Sequence, residues 1–189
     1  MNYLELTGTI IGLIYLWLEY KASVYLWIVS VIMPAVYIVI YYQAGLYADL
    51  GINVYYVFAS LYGLACWMLG RNKNNGDKEE LPITHTPRRM YLPLAAVTAV
   101  LTYLIAQILI HFTDSNVPWA DSFTTALSVV GMWMLARKYA EQWLAWIVVD
   151  VVCTVLYIYK ELYFTSGLYG IYTVIAYFGY LKWKGMIKC

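Results

Sequence analysis

The stretch Gln142–Asp150, QWLAWIVVD, concentrates the residue types best suited to chemistry in this chain. Trp143, Trp146 and Asp150 stand at i, i+3 and i+7, which is one face of a helix. Asp150 lies at the centre of the apolar run Glu141–Tyr159. A carboxylate at bilayer depth costs about 2.5–3.5 kcal/mol on insertion scales, so it is expected to face the interior of a helix bundle. Aromatic faces one turn from such an acid suit a flat cation, which the rings stack and the acid neutralises. Two plainer accounts compete: interfacial anchoring for the tryptophans, and a hydrogen bond between helices for Asp150.

Asn53 is a second deep polar residue, flanked by Tyr55 and Tyr56. It suits either substrate contact or interhelical hydrogen bonding, and for Gln107 the latter is expected. Glu19, Asp49 and Glu161 fall near the ends of apolar runs and are expected to be wetted. There is no P-loop, GxGxxG, HExxH or GxSxG motif. Cys66, Cys153 and Cys189 show no CxxC pairing, and His85 and His111 lie far apart, so neither a metal nor a cofactor is expected.

The elements that must position these residues follow from composition. Hydrophobic residues make up 63% of the 189 and charged residues 12%, against about 25% charged in a soluble domain. The net charge of +1 gives no electrostatic case for nucleic acid. Helical spans need about 20 apolar residues. Seven runs qualify: Tyr3–Leu18, Val24–Tyr42, Tyr47–Leu69, Tyr91–Phe112, Pro118–Leu135, Glu141–Tyr159 and Leu162–Lys182. The polar stretch Arg71–Arg89 reads as a solvated linker. Of the 12 basic residues, all but Lys160 fall on one side of this arrangement, which predicts a cytoplasmic C-terminus and an outward N-terminus. No cleavable signal peptide is expected, since Glu5 stands where a basic stretch would be.

A gapless shift of 116 residues superposes the two ends of the chain. Trp17, Trp27 and Trp67 fall on Trp133, Trp143 and Trp183; Glu5 falls on Asp121 and Lys21 on Arg137. Tyr41 falls on Tyr157, Leu46-Tyr47 on Leu162-Tyr163, Gly51 on Gly167, Tyr56 on Tyr172 and Gly63 on Gly179. Aromatic belts recurring at membrane spacing would align some of these by accident, but not the glycines and acids in the same register. Pro34 occupies the place of Asp150 and is expected to kink its helix as a hinge. The predicted organisation is a three-helix repeat over 1–70, a cytoplasmic linker with a fourth helix over 71–116, and a second repeat over 117–189. This is an all-α, seven-span integral membrane protein with 3+1+3 parallel repeats. Pseudo-symmetry of that kind belongs to transporters that bind substrate near the midplane.

Trp143–Asp150 as WxxWxxxD, preceded by Glu141-Gln142, resembles the motif of PnuC-type vitamin transporters, as does Tyr41-Tyr42-Gln43-Ala44-Gly45-Leu46-Tyr47-Ala48-Asp49 followed by Tyr62-Gly63 and Trp67. The resemblance covers nearly all of the chain except the polar stretch. It implies a fold similar to the sugar-transporting SWEET proteins. It also implies passive import of an unphosphorylated B-vitamin precursor across the cytoplasmic membrane, usually nicotinamide riboside, with thiamine in a close subgroup, and trapping by a cytosolic kinase. Carried over residue by residue, it puts Gln142, Trp143, Trp146 and Asp150 in the substrate site, with Asn53 and Tyr56 from the first repeat; Tyr157 joins them as a candidate. Many nicotinamide riboside members carry an amide where Asp150 stands, so the choice between the two vitamins stays open. The expected partners are a small cationic aromatic vitamin precursor and the lipid bilayer; a homo-oligomer is allowed. A membrane enzyme using Asp150 as acid or base lacks a second deep titratable group. A structural subunit would have no need of a mid-span carboxylate.

Overall fold

A computed structural model describes residues 3–44, 47–69, 81–113 and 115–187. Its elements are α1 (Tyr3–Tyr20), α2 (Tyr25–Ala44), α3 (Tyr47–Leu69), α4 (Arg88–Phe112), α5 (Pro118–Ala136), α6 (Gln142–Tyr159) and α7 (Tyr163–Met186). All seven coincide with the apolar runs to within a few residues. α4 and α7 run past their apolar runs, because a helix end in polar surroundings can carry Arg88, Arg89 or Lys184 without leaving a backbone group unpaired. Pro118 opens α5 at its first position, where the missing N–H costs nothing.

The chain forms two compact units, Met1–Pro82 and Ile83–Cys189. In the first, α2 packs on both α1 and α3. In the second, α4 packs on α5, α5 on α6 and α6 on α7.

Among the described residues two helices, α4 and α6, are long and apolar enough to cross a membrane by length and composition. α5 and α7 are less apolar because they carry Ser, Thr, Gly and Tyr. In α5 the hydroxyls of Ser122, Thr124, Thr125 and Ser128 all donate to backbone carbonyls of the preceding turn, which cancels much of their polarity. α6 is inside out relative to a soluble helix. Its exposed stripe is Leu144, Val148, Val151, Val155 and Ile158, while Gln142 and Asp150 are buried. An apolar outer face with polar residues inward is what hydrocarbon surroundings require.

The corners between helices are built alike. α1 ends with Ala22 at φ 52° and α5 with Lys138 at φ 54°. Ser23 N–H donates to Leu18 O at 2.9 Å and Tyr139 N–H to Met134 O at 3.1 Å. Ala22 N–H donates to Glu19 O at 2.8 Å and Lys138 N–H to Leu135 O at 2.9 Å. Each set is a Schellman closure, and the two are 116 residues apart. The re-entry into the next helix repeats as well, with Trp27 N–H to Val24 O and Trp143 N–H to Ala140 O. Glu161 at φ 58° makes a third such corner between α6 and α7; Gly45 and Leu46, its counterparts, lie outside the described residues.

Each unit is locked by a tryptophan seated on a glycine. Trp27 lies against Gly63, and its ring meets Trp67 edge-on at 5.7 Å and 85°. Trp143 lies against Gly179, where an added Cβ would come within 2.7 Å of the ring, and meets Trp183 at 5.9 Å and 87°. α2 continues through Pro34 as one helix. Proline leaves the Ser30 carbonyl without its helical donor, and Ser60 Oγ of α3 donates to it at 3.1 Å.

Two expectations about wetted residues change. Glu19 is 1% exposed rather than solvated, because its corner faces inward beside Tyr15. Ile83 and Thr86, at the end of the polar stretch, are buried on the α5–α6 corner; the part of the stretch at 71–80 lies outside the described residues. Glu161 is exposed as expected, and the side chain of Asp49 is outside the described residues.

Candidate functional site

The α5–α6 corner starts α6 at Gln142, so the QW pair falls in its first turn and Asp150 two turns further on the same inward side. Gln142 and Trp143 are fully buried and Asp150 is 7% exposed. Trp146 is half-buried, its indole 3.5 Å from where a Cβ on Gly131 of α5 would sit. Neither the Oε1 nor the Nε2 of Gln142 has a hydrogen-bond partner among the described residues, and the same holds for Trp143 Nε1 and Trp146 Nε1. A buried amide left unpaired at both ends costs about 1–3 kcal/mol for each group.

Trp143 and Trp146 divide in role. Trp143 is enclosed by Gly179 and Trp183, as Trp27 is by Gly63 and Trp67. Its faces are occupied, and it sets the α6–α7 distance. Trp146 keeps accessible ring surface beside Asp150.

Past Asp150, α6 and α7 bring a tyrosine cluster together. Tyr157 and Tyr169 have ring centroids 5.1 Å apart, and Tyr169 and Tyr172 are 5.6 Å apart. Asp150 is within electrostatic reach of Tyr169, Tyr172 and Cys153. Sequence reasoning misses Tyr169 and Tyr172 as site residues. A signal for them is present all the same: the 116-residue shift carries Asn53 to Tyr169 and Tyr56 to Tyr172. Asn53 and Tyr56 themselves are half-buried on α3 in the first unit, where Tyr56 lies against Tyr55 at 5.7 Å. At the other end of α6, Lys160 pairs with Asp121 at 3.4 Å, and Ser115 Oγ donates to the same carboxylate oxygen at 3.1 Å. Among the described residues no group of His, Cys, Asp and Glu is arranged to hold a metal ion.

On α6, a polar face buried behind an apolar outer stripe is the pattern of a helix set in hydrocarbon. The sequence matches the Nicotinamide mononucleotide transporter family over residues 2–185, and the chain belongs to that family. Its members are transporters of the inner membrane, not enzymes. The chain is 28% identical to the nicotinamide riboside transporter PnuC of Escherichia coli strain K12, over 97% of this chain and 85% of that one. It is also 28% identical to the riboflavin/roseoflavin transporter RibM of Streptomyces davaonensis, over 95% and 83%. Among solved structures, the fold matches the crystal structure of the vitamin B3 transporter PnuC with a TM-score of 0.68, at 22% identity, covering 95% of this chain and 79% of that one.

Proposed function

We propose that this protein imports nicotinamide riboside, unphosphorylated, by passive diffusion through a site on the inner face of α6. The observation that carries the reading is the row Gln142, Trp146, Asp150 on α6, whose amide lacks partners among the described residues while its acid is buried. Trp146 stacks the pyridinium ring and Asp150 neutralises it; Gln142 hydrogen-bonds the ribose hydroxyls. Tyr157 completes the lining on α6, with Trp143 holding the helix pair behind it. Import continues because a cytosolic kinase phosphorylates the product.

Thiamine is the alternative, since it is also an aromatic cation with a hydroxyl arm and Asp150 serves both. Riboflavin is carried by one relative, but it is neutral, and an enclosed carboxylate favours a cation. In this reading the chain has a SWEET-like 3+1+3 arrangement with parallel repeats at 1–70 and 117–189. The linker Arg71–Arg89 and the C-terminus are cytoplasmic and the N-terminus is outside; the protein is multi-pass in the inner membrane, where it can form homo-oligomers.

Uptake of labelled nicotinamide riboside, thiamine and riboflavin into proteoliposomes tests this. The expected result is equilibration of nicotinamide riboside that persists when proton and sodium gradients are collapsed. Accumulation against a gradient without an internal kinase would refute passive transport. For topology, a cysteine at Asn75 should resist membrane-impermeant labelling in whole cells.

A further inference from the structure

The residue just before Gln142 is held by an unusual amount of structure. Glu141 is 8% exposed and stands in the turn between α5 and α6. Its Oε2 accepts from Thr86 N–H at 2.7 Å and from Thr86 Oγ1 at 2.9 Å, and its Oε1 lies 2.6 Å from His85 Nδ1. The same short segment pairs with the corner through its backbone. Thr84 N–H donates to Lys138 O at 3.1 Å, and Ala140 N–H donates to Thr84 O at 3.0 Å. Ile83 and Thr86 are buried by this docking. Burial pushes the Glu141 carboxyl up, but the bonds from His85 and Thr86 more than offset it and hold it below its ordinary value.

The corner does not need this strap in order to form. The α1–α2 corner makes the same sequence of backbone bonds 116 residues earlier. There Tyr25 stands in the place of Glu141 and is 64% exposed. The two corners also differ at the next position, where Leu26 opens one inward face and Gln142 the other. A buried carboxylate is costly unless it is fully hydrogen-bonded, so a strap that, among the described residues, is present at the second corner alone has work beyond closing a turn.

We propose that Glu141 is a positioning residue: the strap Ile83–Thr86, closed on its carboxylate, sets the first turn of α6 so that Gln142 and the Trp146–Asp150 face meet the substrate. This rests on the reading of that face as the substrate site.

The test uses the purified full-length protein, with calorimetric titration of nicotinamide riboside and hydrogen exchange of the amides of Gln142–Ala145. Glu141→Ala removes the acceptor. Thr84→Pro removes one backbone donor of the strap and leaves Glu141 intact. Both are expected to weaken binding by about tenfold and to speed exchange in the first turn of α6. Glu141→Gln keeps an acceptor for Thr86 and should recover most of the affinity. Wild-type affinity in monodisperse Glu141→Ala and Thr84→Pro, even with a lowered melting temperature, overturns the proposal and leaves the strap a structural staple. Asp150→Asn and Trp146→Ala, titrated alongside, separate the two readings. If they bind as wild type while Glu141→Ala does not, the substrate site is misplaced and the strap stands. If they alone lose affinity, the site stands and the strap does not. The exchange measurement needs no ligand, so unchanged exchange in both strap variants also overturns the proposal.

Discussion

The α1–α2–α3 and α5–α6–α7 units share a frame and differ in what they place inside it. The frame is the pair of Schellman corners at Ala22 and Lys138 together with the Trp27–Gly63 and Trp143–Gly179 contacts. Even the cations over the corner tryptophans recur, Lys21 over Trp17 at 3.8 Å and Arg137 over Trp133 at 5.7 Å. The contents diverge. Where the second unit has Glu141, Gln142 and Asp150, the first has Tyr25, Leu26 and Pro34. The large aromatic that fills the space between the first two helices changes sides. Tyr15 reaches from α1 to Ser30 in one unit, and Trp146 reaches from α6 to Gly131 in the other. That exchange keeps the volume filled while moving an indole onto the helix that carries the acid. The corner and tryptophan packing recurs, and a few substitutions within it place polar groups on α6.

The comparison breaks most visibly if the two tryptophan locks are not equivalent. Trp27→Ala and Trp143→Ala should each destabilise the protein by about 3–5 kcal/mol, the usual loss for emptying a core aromatic site. Thermal unfolding in one detergent would check this. A large loss for one and little for the other would show that the frame is not shared.

A smaller effect sharpens the division of contents. Asp150→Asn should cost about 1.5–3 kcal/mol in nicotinamide riboside affinity, and Trp146→Ala about 1–2 kcal/mol through lost stacking and cation–π contact. Titration against a neutral ring analogue separates charge from shape. Wild type should reject the analogue, and Asp150→Asn should reject it much less.

Acid should reveal the strap on the α5–α6 corner. The folded Glu141 carboxyl sits below its ordinary value of 4.5. Its stabilisation is therefore complete above that value and is lost as pH falls through the lowered folded value. The melting temperatures of wild type and Glu141→Gln should differ at neutral pH and converge in acid. A constant gap would mean that the carboxylate's charge contributes nothing to the strap.

The smallest effect concerns the corners themselves. Lys138 and Glu161 occupy a left-handed conformation that costs a side-chain-bearing residue about 1 kcal/mol. Glu161→Gly, at an exposed corner, should raise the melting temperature by a few degrees, reflecting about 1 kcal/mol. No gain would mean that the Glu161 side chain makes a compensating interaction at the corner.

Seven helices are legible in the order of residues, because each coincides with an apolar run whatever it packs against. The 116-residue register is equally local in origin, since tryptophan and glycine cannot replace each other where a ring rests on a bare backbone. The face carrying Trp143, Trp146 and Asp150 is legible for the same reason: helical periodicity groups the three, and the cost of a buried charge points that face inward. Periodicity cannot tell which of two tryptophans is walled in. Gly179 and Trp183, across the interface, make Trp143 a packing residue and leave Trp146 accessible. Nor can periodicity find the strap, because His85 and Thr86 lie 56 and 55 residues from Glu141 in a stretch whose polarity reads as solvent-exposed. A buried carboxylate is satisfied by whatever donors the folded chain brings to it, and that is a property of tertiary structure alone.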